Sequence, residues 1–231
     1  MKMLLPFLFL TTCLSPTLAQ TGRVTGGAGF FRMGYASLHR VGQTLDQFSS
    51  TGQYGLSNDF ICIGGEGYAR LNKYILGGGG FGMMAHGMGS PTYHAEPFGG
   101  GGYLYAGRLV VDTHRFWLYP TAGAGLTVIG LTQRQQIGTS TQESSVTLPN
   151  VALQVGVGAD WMPVAFGEGD GYGGLLLGMR AGYQISPSSS GWQSTGDVPS
   201  DRPRYATNGF FVTMTIGVGG FRYAQPKRVI Y

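Results

Sequence analysis

A chain of 231 residues with only 11% charged residues is unlike an ordinary soluble domain, where roughly 25% is usual. Mean hydropathy is +0.03, and no apolar run of the roughly 18 residues needed by a transmembrane helix occurs beyond the N-terminus, which excludes a helical membrane protein. The formal charge of +4 is small and dispersed, and it falls by one when Lys2 is removed, so nucleic acid is not implied as a partner.

The first residues read as a secretory signal peptide over 1–19. Lys2 supplies the positive charge, Leu4 to Leu10 the apolar core, and Thr17-Leu18-Ala19 a small-residue cleavage site before Gln20. A lipoprotein acylated at Cys13 is the competing reading, but Leu10-Thr11-Thr12 makes a poor lipobox. Removing the leader leaves Cys62 as the single cysteine, so no internal disulfide can form. The 42 glycines do not signal disorder, because they sit within strings of Val, Leu, Phe, Tyr and Met that disordered segments lack.

The mature chain alternates with period two, the signature of strands. In 29–38, Phe31, Met33 and Tyr35 oppose Arg32, Gly34 and Ala36. In 60–71, Ile61, Ile63, Ala69 and Leu71 oppose Cys62, Glu66 and Arg70. The stretch 74–87 is rich in glycine, with Ile75, Phe81 and Met83 set against Gly78, Gly80 and His86. In 101–111, Tyr103, Tyr105, Leu109 and Val111 oppose Arg108. In 116–131, Leu118, Ala122, Leu126 and Val128 oppose Gly123, Gly125 and Thr127.

The last three segments alternate most cleanly. Val151, Leu153, Val155, Val157, Ala159 and Trp161 oppose Ala152, Gln154, Gly156, Gly158 and Asp160. Leu175, Leu177, Met179, Ala181 and Tyr183 oppose Leu176, Gly178, Arg180, Gly182 and Gln184. Phe210, Val212, Met214, Ile216 and Val218 oppose Phe211, Thr213, Thr215, Gly217 and Gly219. Each segment reaches the roughly 9–11 residues that a tilted strand needs to cross a bilayer.

The connections tend to alternate long and short: 40–58, 72–73, 88–97, 112–115, 132–147, 163–172 and 187–207. Long outer loops and tight periplasmic turns are the habit of outer-membrane barrels, although 163–172 is longer than that pattern predicts. Val41, Leu45 and Phe48 permit a short amphipathic helix over the barrel mouth. The 187–207 connection reads as a solvated loop.

The sign of the alternation separates a membrane barrel from a soluble one. The non-apolar face is Gly, Ala, Thr and a few charges, with almost no lysine, which suits a narrow interior better than a surface in water. We therefore expect an all-β, up-and-down antiparallel transmembrane barrel of about eight strands, with a polar lumen and an apolar exterior. Its domains would be the leader at 1–19, the barrel at 20–223 and a short tail at 224–231. Arg32, Glu66, Arg70, Arg108, Asp160 and Arg180 all fall on the small face. They are expected to form a lumen charge network in which Glu66 and Asp160 bridge the arginines. That network would either conduct protons or anions, or plug the barrel.

The run Ile63-Gly64-Gly65-Glu66-Gly67-Tyr68-Ala69, a two-residue turn and Ile75-Leu76-Gly77-Gly78-Gly79-Gly80 resembles a hairpin of small outer-membrane barrel proteins. Leu118-Tyr119-Pro120, Gly156-Val157-Gly158-Ala159-Asp160 and Gly178-Met179-Arg180-Ala181-Gly182-Tyr183 resemble later strands of that group, broadly like OmpX and the transmembrane part of OmpA. The resemblance covers most of the mature chain, is architectural, and carries no functional residue. Two features depart from it. Phe221 and Tyr223 would serve as the terminal aromatic signal for the assembly machinery, yet Ala224 to Tyr231 follow. Pro120 lies within a strand, where a bulge is expected.

No catalytic constellation stands out. Gly77-x-Gly79-x-x-Gly82 matches a dinucleotide fingerprint formally, but Met83-Met84-Ala85-His86-Gly87 continues a strand register where a helix is required. His39 and His86, with Ser37, could meet at the outer rim as a lipid-modifying site. Glu168 and Asp170 could hold calcium weakly, although a polar glycine turn accounts for them. Tyr54, Tyr93, His94, Trp192 and Arg202 could contact a surface partner or serve as interfacial anchors. The reading is a monomeric, non-enzymatic surface barrel without cofactor or metal. It would meet outer-membrane lipid, lipopolysaccharide and the barrel-assembly machinery. A narrow pore, a lipid-modifying enzyme and a soluble secreted barrel are the alternatives.

Overall fold

A computed structural model describes residues 23–46, 55–90, 93–137, 140–167, 170–187, 189–195 and 205–224. The expected leader, Cys13, Phe48, Tyr54, Glu168, Arg202 and the tail beyond Ala224 lie outside them. The strands are β1 (Arg23–Leu38), β2 (Asp59–Leu71), β3 (Tyr74–Met84), β4 (Met88–Ser90), β5 (Tyr93–Arg108) and β6 (Val111–Asp112). They continue with β7 (Phe116–Ile137), β8 (Ser140–Phe166), β9 (Gly171–Ile185), β10 (Gln193–Thr195) and β11 (Gly209–Ala224). Eight long strands pair antiparallel in the ring β1-β2-β3-β5-β7-β8-β9-β11, and β11 returns to β1 from Arg23↔Ala224 to Leu38↔Gly209. β4, β6 and β10 are short additions to that wall. Closure leaves the long strands with no open edge through the bilayer, where an unpaired peptide group is costly.

Both described termini lie at one end, with the tight turns. There Asn72 takes a φ of 57° between β2 and β3, which asparagine tolerates, and Gly167 takes 116° between β8 and β9. The expected loop at 163–172 is a short turn, since β8 runs to Phe166 and β9 starts at Gly171. The expected loop at 132–147 is strand up to Ile137 and again from Ser140. β7 and β8, at 22 and 27 residues, exceed what a bilayer needs and rise above it as a hairpin. Its Arg134–Glu143 pair, at 3.5 Å, is solvent-exposed and contributes little.

The expected helix is α1 (Val41–Asp46), with Val41 and Leu45 fully buried over the outer mouth. The wall is irregular opposite Pro120, as expected: the β5–β7 ladder ends at Gly107↔Thr121 and β6 resumes at Val111↔Leu118, so 108–110 face only 119–120 and Pro120 needs no donor on that edge. A second register shift lies on β8, between Trp161 and Val164.

The inversion of polarity is present. Val155, Val157, Trp161, Leu177, Met179, Val212, Met214 and Ile216 face outward, while Asp160, Arg180, Thr213 and Thr215 are buried inside. Two strands run opposite to expectation. On β3, Ile75 and Met83 are buried and Leu76 is outside; on β5, Tyr103 and Tyr105 are buried and Leu104 is 71% exposed. A charge placed at Leu104 should therefore meet lipid. Leu104→Arg is expected to destabilise the barrel by about 2–4 kcal/mol in urea unfolding from lipid vesicles; an unchanged midpoint would place residue 104 elsewhere.

Candidate functional site

The lumen is stacked in three layers. Nearest the termini, Ile75, Leu109, Trp117, Met162, Leu176 and Phe221 pack with Tyr68, Tyr105 and Tyr119 into an apolar and aromatic plug. At the opposite end, Leu38, Val41, Leu45, Leu56, Phe60, Ile129 and Leu131 form an apolar cap under α1. Tyr205 hydroxyl donates to the His39 carbonyl across this cap, and burial pushes the Tyr205 phenol up to about 12.

Between these layers lies a belt of charge. Arg180 Nη1 donates to Asp160 Oδ1 at 2.7 Å, and Arg180 Nε stands 3.0 Å from Glu66 Oε1. Arg32 Nη1 lies 3.8 Å from Glu66 Oε2 and also donates to the Tyr103 hydroxyl. Tyr103 in turn donates to Glu66 Oε2 at 2.7 Å. Asp160 Oδ2 accepts from Tyr68 at 3.0 Å and Tyr119 at 2.8 Å. The guanidinium of Arg180 faces the rings of Phe30 and Tyr119, and that of Arg32 faces Phe81 and Tyr103, each within 5.5 Å of the centroid. Two cations and two anions thus neutralise one another at a level where isolated charges would be prohibitive.

Of the sequence-derived set, Arg32, Glu66, Asp160 and Arg180 come together as expected. Arg70 is buried in the layer below, paired with Asp112 at 2.7 Å and stacked toward Trp117 and Phe221. Arg108 does not join them. It is exposed at the last position of β5, on the outward parity of Leu104, where a long side chain reaches the headgroup zone. Placing Arg108 inward is also what would turn Tyr103 and Tyr105 outward. The tyrosine donors complete the belt and Asp112 completes the Arg70 pair below it; the sequence pattern alone singles out neither.

The inward glycines make room for these rings. A Cβ on Gly77 would lie 2.6 Å from the ring of its cross-strand partner Tyr105, one on Gly79 2.9 Å from the Tyr103 hydroxyl, and one on Gly158 2.5 Å from the ring of Tyr119. The formal dinucleotide fingerprint is thus a strand of glycines beneath tyrosines, inside β3.

The remaining candidates are dispersed. Ser37 Oγ donates to Asp59 Oδ1 at 2.7 Å, and His39, His86 and His114 are exposed. His94 pairs with Glu96 at 2.8 Å. Tyr93 is buried within the apolar cap and Trp192 packs against it, so neither projects freely toward a partner. Among the described residues no group of three or more His, Cys, Asp or Glu could hold a metal ion.

An apolar skin around a sealed ring and an enclosed charge belt define the architecture. The chain is a membrane-spanning β-barrel of the outer-membrane type. No family model and no curated protein matches it. Among solved structures it is similar to Ail, the attachment invasion locus protein of Yersinia pestis, at 13% identity and a TM-score of 0.39, over 87% of this chain and 99% of that one. It is similar to Neisserial surface protein A at 14% and 0.33, over 87% and 99%. It is also similar to the outer membrane protease OmpT of Escherichia coli at 9% and 0.30, over 91% and 99%. Scores this low transfer neither residues nor activity, and the architecture rests on this chain's own strand register.

Removing one partner of the belt leaves a buried charge alone. Asp160→Ala is expected to cost about 3–5 kcal/mol in equilibrium unfolding. Combined with Arg180→Ala, it should cost clearly less than the sum of the two single changes. Additive losses would show that the two groups do not interact.

Proposed function

We propose that the protein is a non-enzymatic outer-membrane barrel that supports envelope integrity and presents its outer hairpin and loops at the cell surface, with its lumen closed. Export would use the leader at 1–19. Insertion would use the barrel-assembly machinery, and the folded monomer would sit among lipopolysaccharide and phospholipid. The observation that carries this reading is the three-layer filling of the lumen. An eight-stranded barrel has an interior just wide enough for side chains. Here Arg32, Glu66, Asp160 and Arg180 cross it in mutually neutralising contacts, with apolar layers above and below. A non-enzymatic role accords with Ser37 being hydrogen-bonded to Asp59 rather than to an imidazole.

A second reading, a narrow pore, draws on one feature. Two small cavities adjoin the belt and share Arg32, Gln154 and Phe211. Arg32 Nε, Arg180 Nη2 and the Tyr105 hydroxyl have no hydrogen-bond partner among the described residues there, as suits a hydrated crevice. Planar-bilayer conductance separates the two readings. The plugged barrel should give no resolvable current steps, and Glu66→Ala with Arg180→Ala should open a leak. Steady conductance by the unaltered protein would replace the plug with the pore.

A further inference from the structure

Among the described residues, the lipid-facing surface has a depression close to the end where both described termini lie. Val164 and Phe166 of β8 stand on one side of it, Leu175 and Val218 on the other, over Gly173, Gly174 and Gly219. Phe166 and Gly173 also line a continuation toward the rim, which passes Gly220 and Thr25 and ends at Arg222. The strand register builds this groove. Phe166 faces Gly173, Gly173 faces Gly220, and Gly220 faces Gly27, so three glycines follow one another across adjacent strands.

Nothing inside the protein demands the glycine at position 220, because a Cβ there would meet no atom within 4 Å. Its smallness serves only the outer surface. Arg222 is exposed, and its cross-strand neighbours, Gly171 and Thr25, are small. No ion pair holds Arg222 among the described residues. Exposed Lys73, Arg108 and Arg115 lie at the same rim, where the acids are Asp112, paired with Arg70, and Asp170, exposed in the β8–β9 turn beside Gly171.

We propose that this groove seats one anionic phospholipid of the periplasmic leaflet, and the proposal rests on the outer-membrane placement made above. An acyl chain lies over Gly173, Gly219 and Gly220 between the Phe166 and Leu175 sides, and the phosphate meets Arg222. The match is one of charge and shape together: an apolar trough ends at Arg222, in a rim where the exposed Lys73, Arg108, Arg115 and Arg222 outnumber the acids Asp112 and Asp170 and favour an anionic headgroup. A zwitterionic lipid fills the same trough without the net attraction.

The test is native mass spectrometry of the folded full chain in detergent, with phosphatidylglycerol or phosphatidylethanolamine added. One phosphatidylglycerol should be retained in preference to phosphatidylethanolamine. Gly220→Leu, which fills the groove without an internal clash, should abolish that retention. Arg222→Gln should weaken phosphatidylglycerol retention by about fivefold, as expected for one surface cation beside anionic lipid. Lys73→Gln, at the same rim but off the groove, should change neither. Equal retention by Gly220→Leu, or equal effects of Lys73→Gln and Arg222→Gln, would overturn the site. Heat-modifiable migration is followed in parallel. Its absence in the unaltered protein would refute the barrel reading, whereas its presence without a lipid adduct would refute the lipid site alone.

Discussion

The Arg180 guanidinium on β9 reaches Asp160 on the neighbouring β8 at 2.7 Å and Glu66 across the lumen on β2 at 3.0 Å. Once these three charges are enclosed, much else is constrained. Lipid surrounds the wall, so a charge on a membrane strand has only the interior to occupy. Inside a barrel this narrow, each charge must find its counter-charge within the length of one side chain. Tyr68, Tyr103 and Tyr119 supply the hydrogen bonds that remain, and the side chains of Tyr103 and Tyr119 need glycine beside them. The high glycine content is in large part a consequence of filling the lumen with aromatic rings.

The layering follows from the same width. Polar groups alone would leave parts of the interior unpaired, and small residues alone would leave voids. The structure confines its charge chiefly to one belt and closes the ends with hydrophobic side chains. Arg70 is the exception below the belt, and its partner Asp112 is partly exposed at the rim, where desolvation costs less. The outer cap uses α1, whose Val41 and Leu45 point down into the mouth. Beyond the cap, β7 and β8 continue as a hairpin with polar residues on both faces, because both faces there meet water.

Where the alternation is unbroken, the sequence alone was enough to read the wall. Val151 to Trp161, Leu175 to Tyr183 and Phe210 to Val218 gave the correct faces, and with them Asp160 and Arg180 inside. The reading failed on β3 and β5, where the glycine runs 77–80 and 99–102 remove the contrast between faces. On β5 the remaining cue, Arg108, pointed the wrong way because a rim arginine obeys different rules from one at mid-depth. Residues 132–147 read as a loop for a related reason, since a strand wet on both faces has no apolar stripe. Asp112 was hidden as an ordinary turn residue, because its partner Arg70 is 42 positions away.

Everything in this architecture depends on which face of the wall meets lipid, and two native tryptophans report it directly. Trp161 is half exposed on the outer face, whereas Trp117 is buried in the lumen at 1% exposure. The measurement is tryptophan fluorescence in vesicles of lipids brominated along the acyl chain. It compares a Trp117→Phe, Trp192→Phe chain with a Trp161→Phe, Trp192→Phe chain. Strong quenching of Trp161 and weak quenching of Trp117 is the predicted result. Strong quenching of Trp117 with Trp161 unaffected would mean that the barrel is folded with the opposite polarity.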